Sequence, residues 1–126
     1  MSRERGLEIA SAFFAASRRG DLDGLGKVLA DDVRFHTDGG GKRPSATRIL
    51  EGFGEVARFL TRVAKYFDKN PSRLVRYDLI NGLPGFITRE ADGLQTTALL
   101  IEEDRIRAIY VMRNPDKLGY VERSVN

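Results

Sequence analysis

The stretch from Ser72 to Arg113, SRLVRYDLINGLPGFITREADGLQTTALLIEEDRIRAIYVMR, decides the fold. Leu74 to Ile80, Phe86 to Glu90, Leu94 to Glu102 and Arg105 to Arg113 are rich in β-branched and aromatic residues and mostly alternate, which predicts four strands. They are joined at Asn81-Gly82, Asp92-Gly93 and Glu103-Asp104, connections too short for a crossover, so neighbouring strands must be antiparallel. On the last strand Ile106, Ala108, Tyr110 and Met112 share one side and are expected to face inward. Ile109 and Val111 then fall on the outward side, where they would suit contact between two copies in a homodimer. Around Ala98 to Ile101 both parities are apolar, so alternation does not decide the inward face there.

Helices fill the chain before this meander. Leu7, Ala10 and Phe14, widened by Ile9 and Phe13, form one stripe on a helix from Arg3 to Arg19 that ends at Gly20. Asp21 caps a short second helix with Leu22, Leu25, Val28 and Leu29 on its apolar face and Asp31 and Asp32 at its end. Val33 to His36 is a brief strand-like stretch, and Ala46 to Glu51 a short extended piece. Phe53, Val56, Ala57, Leu60, Val63, Ala64 and Phe67 mark the clearest helix, stopped at Asn70-Pro71. Three helices followed by an antiparallel meander predict an α+β fold with helices on one face of the sheet. A sheet wrapped around the long helix leaves a cone-shaped hollow for a small apolar or aromatic ligand.

At 126 residues the chain fits one domain, 1–126. Apolar residues at 41% and charged residues at 31% suit a globular protein. The net charge of +3 comes from Arg and Lys scattered among Glu and Asp, so direct nucleic-acid binding is not expected. Without cysteine there is neither a disulfide nor a thiolate site, and no apolar run is long enough for a membrane span. A cytoplasmic location is the expectation.

Candidate chemistry gathers at the loop Thr37-Asp38-Gly39-Gly40-Gly41-Lys42. A phosphate cradle would need Ser or Thr after the lysine and a helix at once, and Arg43-Pro44 supplies neither. His36 and Asp38 are two apart, so on a strand they share a side and form a candidate general acid/base pair. Alternatively Asp38 pins the glycine turn and His36 is a partly buried residue with a satisfied hydrogen bond. One histidine among scattered carboxylates has no metal-ligand spacing, so no metal or cofactor is expected. The pocket candidates are Phe14, Phe35, Phe59, Tyr77, Tyr110 and Met112, with Tyr110 or Tyr77 able to donate to a developing oxyanion if the hollow is catalytic. Asn114-Pro115-Asp116-Lys117-Leu118 is a rigid exit from the last strand, with Arg113 and Lys117 within reach of Asp116 or Asp38.

FFAASRRGDLDGLGKVLADDVRFHTDGGGK (13–42), NGLPG (81–85) and RNPDKL (113–118) together resemble the C-terminal SnoaL-like domain of one group of extracytoplasmic-function (ECF) sigma factors, in the nuclear transport factor 2-like superfamily. The resemblance runs from about Ala10 to Leu118. It implies a cone-shaped α+β fold, with three helices on a curved antiparallel sheet. It makes Asp38, Gly39, Gly40, Gly41 and Lys42, with Asn114, Pro115, Asp116, Lys117 and Leu118, the signature positions for docking. The implied role is regulation through contact with a sigma-factor core or RNA polymerase. The chain carries no helix-turn-helix pattern, so an isolated domain or a stand-alone relative is expected. Because the superfamily also holds isomerases, cyclases and hydrolases, acid/base catalysis in the hollow is the alternative to a non-catalytic role.

Overall fold

In the computed structural model, which describes residues 1–43 and 48–125, α1 (Arg3–Arg19) begins at Ser2, whose side chain accepts the Arg5 N–H. It ends at Gly20, where φ is 66°, a left-handed exit that glycine adopts without a Cβ penalty. Asp21 caps α2 (Leu22–Val28) through the Gly24 N–H at 3.0 Å. The chain then enters β1 (Leu29–Asp38) directly, so Asp31 and Asp32 lie on a strand and not at the end of a helix. The strand read at Val33 to His36 is therefore part of a longer one. Of the piece expected from Ala46, residues 46 and 47 lie outside the described part, and Leu50–Glu51 forms β2.

After α3 (Phe53–Tyr66) come β3 (Arg73–Ile80), β4 (Leu83–Glu90), β5 (Gly93–Glu102) and β6 (Arg105–Met112). A single turn of 3₁₀-helix (Pro115–Lys117) and α4 (Gly119–Val125) follow. The strands form one curved sheet ordered β2-β1-β6-β5-β4-β3. All neighbours are antiparallel except β1 and β6, which run parallel. The meander is antiparallel as expected, but its last strand returns alongside β1, so the whole sheet is mixed. Such a parallel pair needs a long crossover, and α3 with β3 to β5 provides it.

The inward face of β6 is the reverse of the expected one for its second half. Leu100 pairs with Ala108 and Ile101 with Ile106, leaving Arg107 as an extra residue in a bulge. The bulge switches parity, so Ile106, Ile109 and Val111 all point to the helix-covered face, where they are 0%, 0% and 8% exposed. Tyr110 and Met112 consequently stand on the opposite face. Ile109 and Val111 are thus part of the core and cannot serve a contact between copies.

The main core joins Ile9, Ala10 and Phe13 of α1, Leu25 of α2 and Val56, Ala57 and Leu60 of α3 to Val33, Phe35, Phe86, Leu99 and Ile109 of the sheet. On the other face Ile87, Leu94 and Ala98 are covered by Leu118 and Val121. Hence α4 adds a third layer that the sequence reading did not include.

The β3–β4 and β5–β6 turns share a backbone form in which both central residues have positive φ: 52° and 83° at Asn81-Gly82, 53° and 61° at Glu103-Asp104. Asn-Gly fits that form, whereas Glu-Asp is strained in it. Replacing Glu103-Asp104 by Asn-Gly is expected to stabilise the domain by about 1 kcal/mol. Thermal melting should register this as a rise in Tm of roughly 3–5 °C.

Candidate functional site

Two features meet at the end of the sheet where β1 and β6 finish. The first is a corner built from the two signatures. Asp38 ends β1, and its Oδ1 accepts the Gly40 N–H at 2.9 Å, closing the glycine turn. Across the corner Asn114 Oδ1 accepts the Asp116 N–H at 3.1 Å and caps the 3₁₀ turn. Gly40 has φ 64° and lies so close to Asn114 that a Cβ there would stand 2.4 Å from the amide carbon. Only glycine fits both the angle and the space.

Two ion pairs cross between the signatures. Lys42 Nζ donates to both Asp116 oxygens at 2.9 Å, and Lys117 Nζ donates to Asp38 Oδ2 at 2.9 Å. The Asp38 carboxyl is held below its ordinary value, foremost by the Lys117 hydrogen bond and next by the Gly40 N–H. All four side chains are solvent-accessible, so the pairs add little stability. Leu118, by contrast, is buried and pins the second signature to the sheet.

The second feature is a cavity of about 490 Å³ between the helix-covered face and the C-terminal halves of α1 and α3. Of the six pocket candidates, Phe35 and Phe59 lie in its lining, their ring centroids 5.2 Å apart. Phe14 and Tyr77 stand outside the lining, in edge contact with each other at 6.3 Å and with Phe86. Tyr110 and Met112 are on the far face for the parity reason given above.

His36 is on that far face too. Its ring stacks on Tyr110 at 4.8 Å, and burial, with Arg34 second, lowers its pKa. Asp38 is engaged by Gly40 and Lys117, so the anticipated acid/base pair does not face the hollow.

The polar lining consists of residues that were not among the pocket candidates. Arg18 lies one turn after Phe14 on the apolar stripe of α1, and its guanidinium sits over the rings of Phe14, Phe67 and Phe86 at 4.8, 5.0 and 5.5 Å. Burial lowers its pKa to about 10 against the opposing pull of Glu90, leaving it charged at neutral pH. Its Nε donates to Ser72 Oγ at 3.0 Å, and that hydroxyl donates to Glu90 at 2.6 Å. At the other end Arg113 donates to Gln95 Oε1, and to Asp92 Oδ2 at 2.6 Å. Arg43 donates to Asp92 Oδ1 at 2.7 Å and to the Arg113 carbonyl at 3.0 Å. Glu90, Gln95 and Thr97 occupy lining positions on β4 and β5. Polar residues at core parity were the signal available in the sequence.

The Asp92 carboxyl is depressed, foremost by the hydrogen bond from Arg43; desolvation opposes this, and the charges of Arg113 and Arg43 add to the lowering. A depressed folded pKa stabilises above the unfolded value, about 4, and that contribution is lost as pH falls through the folded value. Asp92→Asn is therefore expected to lower stability at pH 7 and to flatten the fall in stability below about pH 4, measured by urea unfolding across that range.

Among the described residues no group of three or more His, Asp or Glu side chains is placed to hold a metal ion, and no helix is long and apolar enough to cross a membrane.

No family model matches the chain. Over 118 residues it is 35% identical to the ECF RNA polymerase sigma factor SigJ of Mycobacterium tuberculosis, covering 87% of this chain and 38% of that protein. The crystal structure of SigJ superposes with a TM-score of 0.71 at 28% identity, over 91% of this chain and 44% of that one. The chain thus spans about two-fifths of the relative it matches. A SnoaL-like protein of unknown function from Burkholderia thailandensis superposes with a TM-score of 0.68 at 14% identity, over 88% of this chain and 96% of that one. At that identity the likeness speaks for the fold alone.

Proposed function

We propose that this chain, a SnoaL-like domain of the nuclear transport factor 2-like fold that is similar to part of an ECF sigma factor, is a non-catalytic regulatory domain acting on transcription initiation by protein contact. The signature corner is the docking face, and the partner is a sigma-factor core or the polymerase it serves. Such a role puts the domain in the cytoplasm.

The observation that carries this reading is the crossed pairing of Lys42 with Asp116 and Lys117 with Asp38, which joins segments 74 and 79 residues apart into one face. Exposed pairs of this kind contribute little to folding, so stability does not account for the arrangement. A rigid patch with charges held in fixed places suits recognition, where complementarity sets specificity. The cavity is read as a binding chamber for a small, largely apolar ligand. His36 faces away from it, and Asp38, Glu90 and Asp92 are each engaged by a donor.

The test is binding of a sigma-factor core, comprising its promoter-recognition and polymerase-binding regions, to the wild-type domain and to Asp116→Lys/Lys117→Asp. The double substitution places like charges opposite Lys42 and Asp38, and affinity is expected to fall by about tenfold or more. Unchanged binding would sink the docking role.

A further inference from the structure

Two polar atoms in the cavity lining are buried without a hydrogen-bond partner among the described residues: Arg18 Nη2 and Thr37 Oγ1. They come from opposite walls, α1 and β1. Arg18 Nη2 is 3.8 Å from Glu90, beyond hydrogen-bond reach, and the Glu90 oxygen already takes the Ser72 hydroxyl. A buried guanidinium N–H left unmatched is costly, and an acceptor entering the cavity removes that cost. The remaining walls, Phe13, Phe35, Phe59, Val63, Ile109 and Val111, offer apolar surface. The volume, about 490 Å³, is that of an ordinary small-molecule site.

The cavity is also wired to the signature corner. Arg113 lines the cavity, directly precedes Asn114, and donates its backbone N–H to the Asp38 carbonyl at 2.7 Å. Asp92, also in the lining, bridges Arg113 and Arg43 at 2.6 and 2.7 Å. Arg43 directly follows Lys42 and returns to the Arg113 carbonyl at 3.0 Å. Its side chain is only 7% exposed and that of Arg113 17%, so the two cations of this bridge are enclosed, unlike the lysines of the corner, while Asp92 itself is exposed. Anything that moves Arg113 or Asp92 from inside the cavity therefore pulls on both signatures together.

We propose that the cavity takes a small, mostly apolar molecule bearing a carbonyl or carboxylate oxygen for Arg18, and that its occupancy is relayed to the signature corner through Arg113, Asp92 and Arg43. The inference rests on the docking reading only for what the relay controls. Coupling of this kind is reciprocal: a ligand that changes the affinity for the partner has its own affinity changed by the same factor.

The test uses three probes on the full chain: 2-naphthamide, 2-naphthoate and naphthalene, titrated by fluorescence. The amide or the carboxylate is expected to bind about tenfold tighter than naphthalene. Arg18→Met is expected to shrink that ratio to about twofold, because it keeps an apolar stem and removes the donor. The ratio of naphthoate to naphthamide tells an anionic from a neutral ligand. Equal binding of all three by the wild type overturns the ligand class, whether or not Arg18→Met folds. At saturating 2-naphthamide the amide resonances of Gly39 to Gly41, Asp116 and Lys117 are expected to shift in nuclear magnetic resonance spectra. In Arg43→Gln those shifts should vanish while shifts at Thr97 and Val111 persist. Wild-type corner resonances that stay still overturn the relay. A domain that ranks the probes as expected yet ignores a sigma-factor core overturns the docking reading alone. One that binds the core but not the probes overturns this inference alone.

Discussion

Phe86→Ala is expected to destabilise the domain by about 3–5 kcal/mol, a large part of the roughly 5–15 kcal/mol that holds an ordinary domain folded. Phe86 is fully buried on β4. Its ring meets Phe14 edge-on at 5.2 Å, Tyr77 edge-on at 6.2 Å and Phe13 at a tilt at 6.2 Å. The Arg18 guanidinium lies 5.5 Å from the same ring. Truncation therefore removes a large apolar group from a close-packed site and takes its partner from three aromatic neighbours. It also strips one of the surfaces that hold Arg18 in place, so the polar end of the cavity should loosen with the core. Phe86→Leu, which keeps most of the volume, is expected to cost only about 1–2 kcal/mol. Urea unfolding of both variants checks the pair, and an alanine variant within about 1 kcal/mol of wild type would show that β4 is not the hub of the core.

Gly40→Val should be comparably severe and act on the corner. The backbone there is left-handed, at φ 64°, and a Cβ would press to 2.4 Å on the Asn114 side chain. The conformational penalty and the overlap together are expected to cost about 2–4 kcal/mol. Asn114 cannot retreat freely, because it is 9% exposed and its oxygen caps the turn that carries Asp116 and Lys117. The neighbouring glycine is the control. Gly41 also has positive φ, 74°, but nothing lies within 4 Å of its would-be Cβ, so Gly41→Ala should cost only about 1 kcal/mol. Equal losses at the two positions, by thermal and chemical unfolding, would mean that contact with Asn114 plays no part.

The elements that rest on local rules were legible in the sequence. The apolar stripe of α1, the Gly20 exit, the Asp21 cap and the three tight turns of the meander each follow from a few neighbouring residues. The meeting of the two signatures was not of this kind: turn residues mark each segment as rigid, but only the family resemblance paired them, and the parallel ladder of β1 with β6 is what brings them together. Non-local features were not legible. The bulge at Arg107 depends on how β5 and β6 pair, and one extra residue moves Ile109 and Val111 from outside to inside. The parallel pairing of β1 with β6 depends on where the meander returns. The last helix was missed because GYVERSV is short and, through Val121 and Leu118, gains its stability from the far face of the sheet. The cavity was half read. Its aromatic walls follow from the apolar faces, whereas Arg18, Glu90 and Gln95 are marked in the sequence only by standing at positions of core parity, and the fold is what makes them cavity lining.

The decisive measurement is the affinity of a sigma-factor core for the wild-type domain and for Asp116→Lys/Lys117→Asp, with the melting temperature of both recorded. Because the crossed pairs are exposed, the double variant should melt within roughly 3 °C of wild type. A fall in affinity of about tenfold or more with that small change in melting is the predicted result. Equal affinity at equal stability would contradict the assignment of the corner as the docking face.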